Sequence, residues 1–218
     1  MSVAERDRGI AAVGAEGATL RTYSIPRASA SRGTPVWQVV LYVSPASCLA
    51  AAVLAVLLCF LAEFITARRP DIIRPLSGSL LAVWVLLVLA VTVIPDGPPA
   101  GRFDQIYWLP GEGLIYGTAG MGSNEISMIL KQEAANAIMF APIAILAYYA
   151  LRNPSRLLVL AGCAAFSCAI ELIQWLEQAG RTADVDDLTF NSLGAAFGLA
   201  AVTIASIAMT RRNLHARA

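Results

Sequence analysis

Five apolar stretches, each close to the roughly 20 residues that a helix needs to cross a bilayer, constrain this chain more than any other feature. They run approximately over 46–66, 76–95, 134–151, 157–176 and 188–209. Backbone groups inside a bilayer must bond within their own segment, so apolar runs of this length predict helices rather than strands. Of the 218 residues, 57% are hydrophobic and 14% charged, too apolar and too sparsely charged for an ordinary soluble domain. The expected fold is therefore all-α: a polytopic helical membrane protein of about five transmembrane helices, with the lipid bilayer as its first partner.

Residues 1–45 form an N-terminal tail, read as disordered or interfacial, in which "VWQVVLYV" at 36–43 is too short to span. Residues 46–75 carry the first helix and its loop, with Pro70 and Pro75 punctuating the gap. "RNPSR" at 152–156 makes a tight turn, whereas the gap at 96–133 is long and irregular. Residues 211–218 read as a basic tail. No internal repeat of the kind found in inverted-repeat transporters is visible.

Arginines orient the serpentine, because short cytoplasmic loops carry an excess of Lys and Arg. Arg68, Arg69 and Arg74, then Arg152 and Arg156, then Arg211, Arg212 and Arg217 all fall on one side. Asp96, Asp104, Glu112, Glu125, Glu133, Glu177, Asp184, Asp186 and Asp187 fall on the other. The C-terminus is expected in the cytoplasm and the acidic loops outside.

A formal charge of +1 without a clustered basic surface gives no reason to expect a nucleic-acid partner. The single histidine, His215, lies near the C-terminal end, and the four cysteines sit in apolar runs without CxxC spacing. A His-activated nucleophile and a His- or Cys-based metal site are both disfavoured, and no cofactor is implied.

Polar residues concentrate in "ELIQWLEQAGRTADVDDLTFNSLG" at 171–194. At about 100° per residue, Ser167, Glu171, Gln174 and Gln178 share an arc of about 60° on the fourth helix. Asp187, Asn191, Gly194 and Gly198 repeat the spacing on the fifth. The short connection predicts that these stripes face each other, with the glycines letting the two backbones approach. Asn136 on the third helix, with Pro142 loosening the helix below it, supplies a third wall.

Glu171 lies roughly 8 Å inside its helix end at 1.5 Å per residue. A charge at that depth is costly, so a proton or a cation must neutralise it, and Arg181 is the nearest cation in sequence. The plainest reading is interhelical glue: Glu171 and Arg181 join two helices, and Asp184 or Asp186 caps the fifth. The number of polar groups favours a hydrated, outward-facing site in which Asn136, Glu171, Gln174, Arg181, Asp184, Asp187 and Asn191 bind a polar head group. An enzyme version makes Glu171 the acid or base and Arg181 the anchor for a phosphate or carboxylate. The DxDD spacing of Asp184, Asp186 and Asp187 carries a weak signal for a divalent cation. A channel is disfavoured, because the acidic stripe occupies one leaflet only.

These residues resemble the VanZ-like family of small bacterial membrane proteins. The resemblance rests on "NAIMFAPIA" at 136–144, "ELIQ" at 171–174 and "RTADVDDLTFNSLGAAFG" at 181–198, with "VTVIP" at 91–95 resembling the end of the family's first core helix. It implies a four-helix core over about 76–210 in a bacterial plasma membrane, with the first helix added in front. "YWLPG" at 107–111 matches only part of an element usual in the family's long outer loop. The founding member is associated with resistance to the glycopeptide teicoplanin, which acts on cell-wall precursors outside the membrane, and by analogy an outward-facing polar site agrees with action near surface glycolipids and lipid-linked cell-envelope precursors.

Overall fold

A computed structural model describes residues 43–93, 106–107, 111, 122–152, 154–177 and 183–215. It contains the five expected helices: α1 (Pro45–Arg68), α2 (Pro70–Val93), α3 (Ser123–Ala150), α4 (Arg156–Glu177) and α5 (Val185–His215). All five are long and apolar enough to cross a membrane. Two short strands, β1 (Ile106–Tyr107) and β2 (Ala183–Asp184), pair in parallel. The tail at 1–42, most of the loop between α2 and α3, and residues 216–218 lie outside the described residues.

Local chemistry explains the helix ends. Ser44 accepts from the Ser47 backbone N–H while Ser47 Oγ accepts from the Ser44 N–H, and Pro45 supplies a first position whose N–H is not needed. Only Arg69 separates α1 from α2, a tighter turn than the two prolines suggest. Pro70 opens α2 instead of preceding it, and Pro75 lies inside that helix. α3 starts at Ser123, about three turns before the expected boundary, so Glu133 belongs to a helix rather than a loop. α5 continues to His215 and takes in Arg211 and Arg212, which the hydropathy pattern assigns to a separate tail.

Large apolar side chains cover the outside, as expected where the surrounding solvent is hydrocarbon. Leu157 is 75% exposed and Phe197 72%. Inside, Val88, Phe140, Ile143, Ala144, Val159, Cys163, Ile170, Ala195 and Leu199 pack as one cluster drawn from α2 to α5. A second cluster joins Cys59 of α1 to Ile73, Ile145, Tyr149, Ala201, Val202 and Ala205.

α3 and α5 run in the same direction and approach closely. A Cβ at Gly194 would stand 2.0 Å from the Ala137 carbonyl oxygen, and one at Gly198 would stand 2.5 Å from that of Ala141. The expected role of these glycines in bringing α4 and α5 together is thus corrected, since they accommodate α3 instead. α5 occupies the groove between α3 and α4, and its single stripe serves both neighbours.

Pro142 removes the helical donor of the Ile138 carbonyl. At the next carbonyl, Met139 O, Trp84 Nε1 of α2 donates a hydrogen bond of 2.9 Å. Trp84 is thus a packing residue with a defined polar contact to α3, one residue along from the carbonyl that proline frees.

Candidate functional site

Three helices bring their polar positions together at one end of the bundle. The N-terminal end of α5 begins with Asp184, whose Oδ1 accepts from the Asp186 N–H at 2.8 Å and so caps the helix. Asp186 and Asp187 follow in the first turn, where unpaired helix N–H groups favour negative charge.

Asp187 is the meeting point. Asn136 Nδ2 of α3 donates to Asp187 Oδ1, and Glu171 of α4 is in side-chain hydrogen-bonding contact with Asp187. Glu171 also accepts from the Asp184 backbone N–H. Three segments distant in sequence thus converge on one carboxylate cluster. One turn deeper, Asn191 Nδ2 donates to Ser167 Oγ at 2.8 Å, a buried bond between α5 and α4 of the kind that holds membrane helices together.

Gln174 behaves differently. Its Nε2 donates 2.8 Å to the Thr92 carbonyl of α2, so its carboxamide ties α4 to α2 rather than facing α5. Arg181, the expected cation for Glu171, lies outside the described residues, as does Gln178. Gly194, Gly198 and Pro142 sit below the cluster in the α3–α5 contact.

The aspartate triplet does not converge as a divalent cation would require. Asp184 accepts from the Asp186 N–H, Asp186 Oδ1 accepts from the Gly111 N–H, and Asp187 accepts from Asn136. Among the described residues, no group of three or more His, Cys, Asp or Glu is placed to hold a metal.

The loop between α2 and α3 reaches this end as well. Ile106 pairs with Ala183 and Tyr107 with Asp184. Gly111, at φ 84°, adopts a left-handed conformation that favours glycine and presents its N–H to Asp186. The partial motif at 107–111 therefore contributes backbone, at Tyr107 and Gly111, to the acidic segment.

Sequence reasoning misses two carboxylates. Glu133, which the hydropathy pattern assigns to an outer loop, is only 5% exposed on α3, and its side chain bonds to that of Asn136. Its spacing of three residues before Asn136 is the available signal. Glu63 lies in α1 toward the arginine end, where Tyr149 Oη donates to its Oε1 at 3.1 Å and Ser206 Oγ donates at 2.5 Å. A lone carboxylate inside an apolar run, the feature that singles out Glu171, also marks Glu63.

A family model described as VanZ/LLP1 matches residues 78–206, more than half of the chain. The match begins within α2 and leaves α1 outside it. No curated protein and no solved structure matches the chain.

Proposed function

Because the chain belongs to the VanZ/LLP1 family, we propose that it is a multi-pass protein of a bacterial plasma membrane whose acidic end binds the head group of a lipid-linked envelope component. The observation that carries this reading is the meeting of Glu171, Asp187 and Asn136 from three helices, with Glu171 Oε2 buried and lacking a hydrogen-bond partner. An ionisable group held at membrane depth is expensive, and such groups mark binding sites more often than lipid-facing surfaces. Asn136 fixes Asp187, Asn191 and Gln174 tie the helix that carries Glu171 to its neighbours, Asp184 caps α5 beside it, and Arg181 is the cation that the sequence offers to the head group.

The arginine-bearing end faces the cytoplasm in this reading, which puts the C-terminus inside and the acidic end at the outer leaflet. Occupancy of an envelope precursor at that leaflet would change sensitivity to antibiotics that act there, glycopeptides among them. The test is co-purification. Wild type and Glu171→Gln, extracted at equal yield, are compared by mass spectrometry for retained lipids. A species held by wild type and missing from the variant supports the site, and identical lipid profiles sink it.

One observation favours a catalytic version: the carboxyls of Glu171 and Asp187 touch, and such a pair can relay a proton. Turnover predicts a modified envelope lipid in cells carrying wild type that is absent with Glu171→Gln. Binding without turnover leaves the lipid's chemistry unchanged.

A further inference from the structure

Three buried side-chain atoms among the described residues lack a hydrogen-bond partner: Glu133 Oε2, Glu171 Oε2 and Asn191 Oδ1. All three are acceptors, and they sit on α3, α4 and α5, the helices that build the acidic end. Glu133 is near enough to act electrostatically on Glu171, and the charge of Asp187 acts on both. Among the described residues no cation pairs with Glu133, Glu171 or Asp187. Each of these three atoms calls for a donor, and the two carboxyl oxygens for a positively charged one.

That requirement discriminates between ligand chemistries. A phosphate brings acceptors and negative charge to a place already rich in both. A quaternary ammonium brings the charge without N–H donors. A divalent cation needs six or more oxygens gathered around it, an arrangement not found among the described residues. A primary ammonium carries three donors, no acceptor and one positive charge.

We propose that Glu133 and Glu171 together hold the primary ammonium of a lipid head group, with Asn136 bonded to Glu133 and one proton shared between Glu171 and Asp187 fixing Glu171. This rests on the head-group reading above and narrows it to amine-bearing lipids. Glu133 thereby becomes a ligand-contacting residue, and α3 supplies the site's second carboxylate.

The test uses the full chain in detergent, titrated with phosphatidylethanolamine, phosphatidylcholine and phosphatidylglycerol of identical acyl chains and read by native mass spectrometry. Charge-assisted hydrogen bonds imply retention of the ethanolamine lipid about tenfold or more above the choline lipid. Glu133→Gln and Glu171→Gln should each abolish that preference. The wild-type comparison stands even where a variant fails to fold. Equal retention of the ethanolamine and choline lipids overturns the proposal. A glycerol-lipid preference that Glu171→Gln removes also overturns it, while leaving the head-group reading intact. No preference at all, together with co-purifying lipids that are indifferent to Glu171, overturns both.

Discussion

Gly194 of α5 and Ala137 of α3 touch backbone to backbone, since any side chain at Gly194 would begin 2.0 Å from the Ala137 carbonyl oxygen. Gly198 and Ala141 repeat the contact one turn on. The two parallel helices thus present small residues four apart to each other, a spacing that brings backbones together where lipid supplies no hydrophobic drive. The polar end of α5 is held beside Asn136 by this contact.

Gly194→Ala should therefore lower the thermal midpoint in detergent, because overpacking against backbone costs about 1–3 kcal/mol. A Cβ added at Gly162 of α4 would meet nothing within 4 Å, so Gly162→Ala should leave stability unchanged or raise it by up to about 1 kcal/mol. Equal midpoints for the two variants would remove the close contact.

Glu63 joins α1 to the matched helices through Tyr149 and Ser206. Tyr149→Phe should cost about 0.5–1.5 kcal/mol, and Glu63→Ala more, because it takes the acceptor from Ser206 Oγ and leaves Tyr149 Oη only the longer bond to the Cys59 carbonyl. The double variant should cost less than the sum by at least about 0.5 kcal/mol. Strict additivity in unfolding measurements would show that the two residues do not interact.

Asn136→Asp would set a further carboxylate against Asp187 and beside Glu133, and like charges at short range in a poorly solvated place are strongly unfavourable. The expected result is a sharp fall in monodisperse protein on size exclusion. Adding Asp187→Asn restores an amide–carboxylate pair in reversed order and should recover much of the yield. A single variant that behaves like wild type would deny the contact.

Trp84→Phe keeps the aromatic packing and removes the bond to Met139 O. The cost should be about 1 kcal/mol, seen as a modest drop in thermal midpoint. An unchanged midpoint would mean that the Met139 carbonyl needs no help from α2.

Orientation is checked by labelling. In a variant whose cysteines at 48, 59, 163 and 168 are replaced by alanine, Thr182→Cys should react with an impermeant maleimide in intact cells. Ser155→Cys, at the arginine end, should react only after lysis. The opposite pattern inverts the proposed topology.

Legible in the amino-acid sequence were the five helices, the placing of most arginines and most acidic residues at opposite ends, and the gathering of Glu171, Asp187 and Asn136 at one of them. These follow from properties that each residue carries locally: its transfer energy into hydrocarbon, its charge, and the 3.6-residue repeat that fixes which positions share a face. Which residues meet was settled by packing. It sent Gln174 to Thr92, turned the glycines of α5 toward α3, brought Gly111 to Asp186, buried Glu133 and gave Glu63 its two hydroxyl partners. A helix apolar on every side has no stripe to say which face lipid will touch. Its neighbours are chosen by shape and by polar contacts between residues as far apart as Asn136 and Asp187, and those exist only once the helices have packed.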